Sequence, residues 1–222
     1  METVVLSLGG SVIVPDEIDV VFLSKFRKMI MGFSSTRFVI ICGGGRICRR
    51  YQDVARSLSD VSATDLDWLG IIATRLNAEL MRVLFNGHAF EKIIHDPEEN
   101  IDENRRIIIG AGFRPGSSTD LRAVQLAKRF GANRVVNISN IDYVYDSDPR
   151  KNPDAVQLKH IAWSDFIRLV GSDWEPGLNM PFDPVASREA SQLGLEVVII
   201  GNCIDNLKKL LMGEDFEGTV IS

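Results

Sequence analysis

The chain has 222 residues, 45% hydrophobic and 25% charged, with a formal net charge of −5. That length and balance allow a large core, as one domain or two small lobes, and exclude a nucleic-acid partner held by a general basic surface. The apolar runs are strand-sized and the chain opens directly on one, so no membrane span and no signal peptide are expected.

In chain order, nearly continuous apolar runs at 3–8, 37–42, 106–109, 134–138 and 196–200 read as strands buried on both faces, as in a parallel sheet covered by helices. Helical patterns separate them at 20–31, 47–58, 65–85, 120–130, 183–193 and 204–212. This alternation predicts an α/β fold: a three-layer α/β/α sandwich around a mostly parallel central sheet, one domain over 1–222. Residues 156–161 read as a short strand, paired in a hairpin with the loop before it. Ser118 or Thr119 can cap the helix at Asp120, and Asp183-Pro184 gives a cap followed by proline in the first turn. The weakest internal boundary lies near 115–118, dividing an N-terminal lobe of about 1–117 from a C-terminal one of about 118–222.

Three glycine-rich segments follow predicted strands: Gly9-Gly10-Ser11, Gly43-Gly44-Gly45-Arg46, and Gly110-Ala111-Gly112 running on to Gly116. Any one of them could be a plain strand-to-helix turn. Three at one sheet edge point to a phosphate-rich ligand, because glycine lets backbone N–H groups close on an anion there. No GxxxxGK[ST] is present, and GGGRICRR lacks the spacing of a dinucleotide-binding turn. Arg46, Arg49 and Arg50 open a helix, where cations oppose the dipole; a bound phosphate would reverse that penalty, and Arg49 is the expected ligand.

The strand at 134–138 empties into a loop holding Asn140, Asp142, Tyr143, Tyr145, Asp146 and Asp148. A turn needs neither two tyrosines nor that many acids. Rings offer a face to a base, and carboxylates can hold a sugar hydroxyl or a magnesium-bound phosphate. Cys42, Cys48 and Cys203 have no zinc-like pairing and are expected as reduced, small core residues in a cytoplasmic protein. His88, His95 and His160 lack metal-ligand spacing. Trp68, Trp163 and Trp174 read as packing residues, with Trp68 a possible border of the site beside Asp67.

Taken together, SLGGSV, GGGRICRRY, DWLGIIATRLNAEL, GAGFRPGSSTD, NIDYVYDSDPRKNP, MPFDPVA and the closing GNCIDNLKKLLMGEDFEGTVI resemble, nearly end to end, the amino acid kinase family, and within it the archaeal-type UMP kinases. The resemblance implies transfer of the ATP γ-phosphoryl group to UMP, giving UDP and ADP, with Mg²⁺ accompanying ATP. It implies that UMP is held by Gly43, Gly44, Gly45, Arg49 and Thr119, with Asp67 on its ribose. ATP would meet Gly9, Gly10, Ser11, Asn140, Tyr145 and Asp148. Ser11, Asp120 and Asp183 would serve the transfer, the two acids orienting cations, and no protein metal ligand is assigned. A homo-oligomer, dimer or hexamer, is implied, and the helix at 65–85 is apolar enough for a subunit interface.

Two positions depart from the family pattern. Ser7 stands where many members carry a lysine, leaving Arg46, Arg150 and Lys151 as candidate replacement cations. Tyr143 stands where the loop usually has glycine, so it either pays for positive φ or takes another path. Two rival functions stay open from the sequence: a kinase of another small phosphate, isopentenyl or furan-type, and a nucleotide- or oxyanion-binding protein with little turnover.

Overall fold

The computed structural model describes residues 1–102, 104–171 and 180–222. Its first half supplies β1 (Glu2–Leu8), α1 (Gly10–Ile13), α2 (Val20–Gly32), β2 (Thr36–Cys42), α3 (Gly45–Leu58), α4 (Ala63–Leu84) and β3 (Ile107–Gly110). The second half supplies α5 (Thr119–Phe130), β4 (Arg134–Ile138), β5 (Val144–Tyr145), β6 (Gln157–Leu158), β7 (His160–Ile161) and α6 (Trp163–Val170). It closes with α7 (Pro184–Gln192), β8 (Glu196–Ile200), α8 (Ile204–Met212) and β9 (Thr219–Ile221).

One sheet runs in the order β3-β2-β1-β4-β8-β9-β7. Its strands are parallel from β3 to β8, β9 is antiparallel to β8, and β7 follows β9. Strand register explains the uninterrupted apolar runs. Ile108, Val39, Val5, Val135, Val197 and Ile221 form one row across the sheet, buried against α5, α6 and α7. The next residues along, Ile109, Ile40, Leu6, Val136 and Val198, point to the other face and pack with α1, α2, α4 and α8. Both faces are dry, so neither side of a strand has use for a polar residue. Helix α3 stacks on α4 outside this second layer. The three-layer, mostly parallel sandwich expected from the alternation is the observed one.

The helix at 47–58 begins earlier, at Gly45, and that at 65–85 begins at Ala63, capped by the Ser62 hydroxyl accepting from Asp65 N–H at 3.1 Å. Ser118, not Thr119, caps α5, accepting from Leu121 N–H at 3.0 Å. The segment 156–161 divides: β6 pairs antiparallel with β5, Val144 opposite Leu158, whereas β7 joins the main sheet beside β9. Helix α6 was not expected. It spans only 8 residues and buries Trp163, Phe166 and Val170 at i, i+3 and i+7, a pattern too short to stand out beside two strands.

Of the cysteines, only Cys42 is buried; Cys48 is half-buried and Cys203 exposed, which corrects the reading of all three as core. Trp163 is buried, its indole N–H donating to Leu195 O at 2.9 Å. Trp174 lies outside the described residues.

Candidate active site

Every parallel strand delivers its carboxyl end to the same edge of the sheet, and a cavity of about 320 Å³ opens there. Its floor is backbone. A Cβ on Gly10 would overlap Gly45 N, one on Gly43 would lie 2.6 Å from Gly10 N, and Gly45 has φ +65°. The first two glycine loops are therefore packed main chain on main chain, which no side chain at these positions permits. The Asn77 amide of α4 supports them from beneath, donating to Gly43 O at 2.8 Å. Gly9, Gly10, Ser11, Gly43, Gly44 and Gly45 all line the cavity.

The three arginines at the start of α3 separate by partner. Arg46 pairs with Asp16, and Arg50 lies 3.8 Å from the same carboxylate. Arg49 instead reaches across to donate to Ser11 Oγ at 2.9 Å and lines the cavity. The residue expected to hold a phosphate is thus the one turned to it, spanning the two glycine loops.

Asp67, from the second turn of α4, forms another wall, its Oδ2 accepting from Gly116 N–H at 2.8 Å. That bond ties α4 to the third glycine segment. Arg75 holds the same segment through Gly112 O at 3.4 Å and Phe113 O at 3.2 Å, and the buried Thr74 hydroxyl accepts from Gly112 N–H at 2.8 Å. Thr119 lines the cavity at the first position of α5, where backbone N–H groups lie free.

Beside them sits a buried acidic pair. Asp120 Oδ1 accepts from Ser7 Oγ at 2.9 Å and Oδ2 from Asp183 N–H at 3.3 Å. Burial raises the Asp120 pKa from 3.8 to about 6, the Ser7 bond partly opposing it and the Asp183 charge adding to it. Asp183 caps α7, its Oδ1 accepting from Ala186 N–H at 2.6 Å, while Oδ2 is buried with no hydrogen-bond partner among the described residues; burial raises this carboxyl's pKa too. Capping therefore uses only half of Asp183 and none of Asp120. Ser7, where the lysine is missing, places a hydroxyl and no cation against this pair.

A second cleft of about 490 Å³ shares Ser139, Asn140, Met180 and Pro181 with the first. Tyr143, Tyr145, Asp148 and Arg150 line it. Its hairpin is held to the main sheet by Thr219, whose buried hydroxyl accepts from Val144 N–H at 2.8 Å and donates to Leu158 O at 2.5 Å. Among the described residues no non-glycine φ is positive, so Tyr143 follows another path rather than a strained one.

The structure thus brings Ser11, Asp67, Asp120, Asp183, Arg49 and Thr119 to one cavity and Asn140 to its junction with a second, which takes Tyr145 and Asp148. It does not bring the candidate replacement cations: Arg46 pairs with Asp16, Arg150 with Asp148, and neither they nor Lys151 line the first cavity. Trp68 does not line it either and is 42% exposed. Sequence reasoning missed Arg114 and Gln52, both lining the cavity. Arg114 sits on a loop whose direction no periodicity gives. Gln52 had a signal, since it lies four residues after Cys48 on the face that meets α4.

An open α/β sandwich with a glycine-floored cavity at its carboxyl edge, arginines Arg49 and Arg114 on its wall and a buried acidic pair, is a phosphate-handling class of protein. The sequence model of the amino acid kinase family matches residues 2–201, and the chain belongs to that family. It is 35% identical over 216 residues to a uridylate kinase of Thermoplasma volcanium, covering 96% of this chain and 94% of that one. A uridylate kinase of Pyrococcus abyssi is 35% identical over 202 residues, 89% of each. The crystal structure of uridylate kinase from Archaeoglobus fulgidus superposes with TM-score 0.85 at 31% identity, covering 100% of both chains.

Proposed function

We propose that this protein is a nucleoside monophosphate kinase that transfers the γ-phosphoryl group of ATP to UMP, giving UDP and ADP. The observation that carries this reading is the continuous pair of clefts, one floored by the glycine loops and the other walled by tyrosines, in a chain similar to uridylate kinases over nearly its whole length.

Transfer between two phosphates asks the protein mainly for alignment and charge compensation. UMP phosphate lies on the Gly43–Gly45 backbone and Arg49, with Thr119 beside it, and Asp67 holds its ribose. ATP phosphates lie against Gly9, Gly10 and Ser11, and the adenosine occupies the second cleft between Asn140, Tyr145 and Asp148. Most acceptor contacts thus come from the half up to about 117 and the adenosine contacts from the half after it, while Thr119 and the Gly9–Ser11 loop each serve the other half's substrate. Arg49, bonded to Ser11, reaches between the two glycine loops, which supports its holding the acceptor phosphate beside the donor.

The Mg²⁺ that accompanies ATP would neutralise charge on its phosphate oxygens. The buried, unpartnered Oδ2 of Asp183 fits a role in orienting such a cation, with Asp120 beside it. A homo-oligomer is proposed on the apolar stripe of α4, where Trp68, Ile72, Leu76 and Val83 are all exposed. No helix among the described residues is long and apolar enough to cross a membrane, and a cytoplasmic location is proposed with the reduced cysteines.

The test is ADP production from Mg-ATP with UMP, CMP, AMP, GMP and isopentenyl phosphate supplied separately. Selective turnover of UMP is expected. Turnover of a different acceptor would keep the chemistry and replace the substrate. ATP binding with no turnover of any would overturn the kinase reading.

A further inference from the structure

Helix α3 leaves its apolar residues partly or fully exposed, and its one buried residue is polar: Gln52, 4% exposed. A buried amide in place of an aliphatic side chain costs stability unless it is bonded. Gln52 Nε2 donates to Leu66 O at 2.8 Å, in the first turns of α4. The Leu66 carbonyl shares its peptide plane with the N–H of Asp67, so the bond restrains the backbone from which the Asp67 side chain springs. Gly70, one turn along α4, lies beside this bond: a Cβ there would sit tightly at 3.3 Å from Cys48 Sγ and in ordinary contact at 3.5 Å from Gln52 Nε2.

Asp67 is thereby held from two directions. Its backbone is tied through Leu66 to Gln52, and its Oδ2 is tied to Gly116 N–H, while no described residue bonds Oδ1. Gln52, Gly70 and Asp67 all line the same cavity. We infer that Gln52 is a positioning residue for acceptor binding, acting through Asp67 by setting where the free carboxylate oxygen points. The inference rests on the reading that Asp67 meets the acceptor's ribose. Gln52 itself need not touch the substrate.

The experiment measures KM for UMP and for ATP in Gln52→Leu, Asp67→Asn and the double variant, with thermal unfolding of each. Loss of one buried hydrogen bond that orients a ligand group is expected to raise KM for UMP by about fivefold to tenfold, with KM for ATP held within about twofold. In the Asp67→Asn background the Gln52 substitution should add almost nothing, because the group it positions is already disabled. If KM rises equally for both substrates, or the two substitutions multiply, Gln52 is merely a packing residue and the inference fails. If Asp67→Asn alone leaves KM for UMP unchanged, the ribose reading fails and takes the inference with it. Should Gln52→Leu not fold, Gln52→Met, of nearly the same length, gives the same comparison.

Discussion

Asp120, proposed to serve the transfer, also carries a thermodynamic signature. It is an acid whose folded-state pKa, about 6, lies above its ordinary 3.8. Between those values the folded protein retains a proton that the unfolded chain has released, so stability falls as pH rises through that window. Above it the buried charge costs on the order of 3 kcal/mol. Asp120→Asn is therefore expected to unfold at higher denaturant than the parent at pH 8, with the advantage vanishing towards pH 4, while phosphoryl transfer is lost. A variant no more stable than the parent at pH 8 would show that the carboxylate is well solvated or paired. Arg49 gives the second residue-scale prediction. Removal of a charge-assisted contact made to one substrate raises that substrate's KM selectively, so Arg49→Ala should raise KM for UMP by about tenfold to a hundredfold and that for ATP much less. Equal effects on both would place Arg49 on the transferring group instead.

Among the elements, the β5–β6 hairpin has the least support of its own. It pairs only two residues per strand, and an isolated hairpin of that size is marginal in water. Thr219, from β9, makes up the difference by bonding both of its strands. Thr219→Val keeps the shape and removes both bonds, leaving Val144 N–H and Leu158 O unpaired at a cost of about 1–3 kcal/mol. Because the hairpin bears Tyr145, the expected kinetic change is a raised KM for ATP with KM for UMP nearly unaltered; titration with each nucleotide checks it. The glycine loops are the opposite case. They have no slack, since Gly10 and Gly45 pack backbone against backbone.

For the whole molecule, the outer face of α3 and α4 is the unfinished surface. Trp68, Ile72 and Leu76 follow one another at four-residue spacing on α4, and Tyr51, Val54 and Leu58 are exposed on α3. Exposed apolar residues grouped on neighbouring helices mark an interface more often than a bare surface. Leu76→Glu, at 59% exposure, should fold normally and shift the sedimentation of the protein to a smaller species. A parent that already sediments as a monomer would remove the oligomer proposal.

Much of this was legible in the sequence because the cause was local. Continuous apolar runs specify strands buried on both faces, and the helix at 204–212 and the strands at 134–138 and 196–200 coincide with the observed elements. Glycine clusters after strands specify where backbone can meet an anion, and their resemblance to a known family placed Arg49, Asp67, Thr119, Asp120 and Asp183. The tertiary structure supplied the reason that Arg46 does not share Arg49's place, since Asp16, thirty residues away in the chain, takes it. Only the tertiary structure showed Ser7 bonded to Asp120 across 113 positions, Asp67 tied to Gly116, and Gln52 buried against α4. Sequence patterns register what each residue is and how far its chain neighbours lie; partners of charge and hydrogen bond are chosen by distance in space, which the packed sheet and helices set.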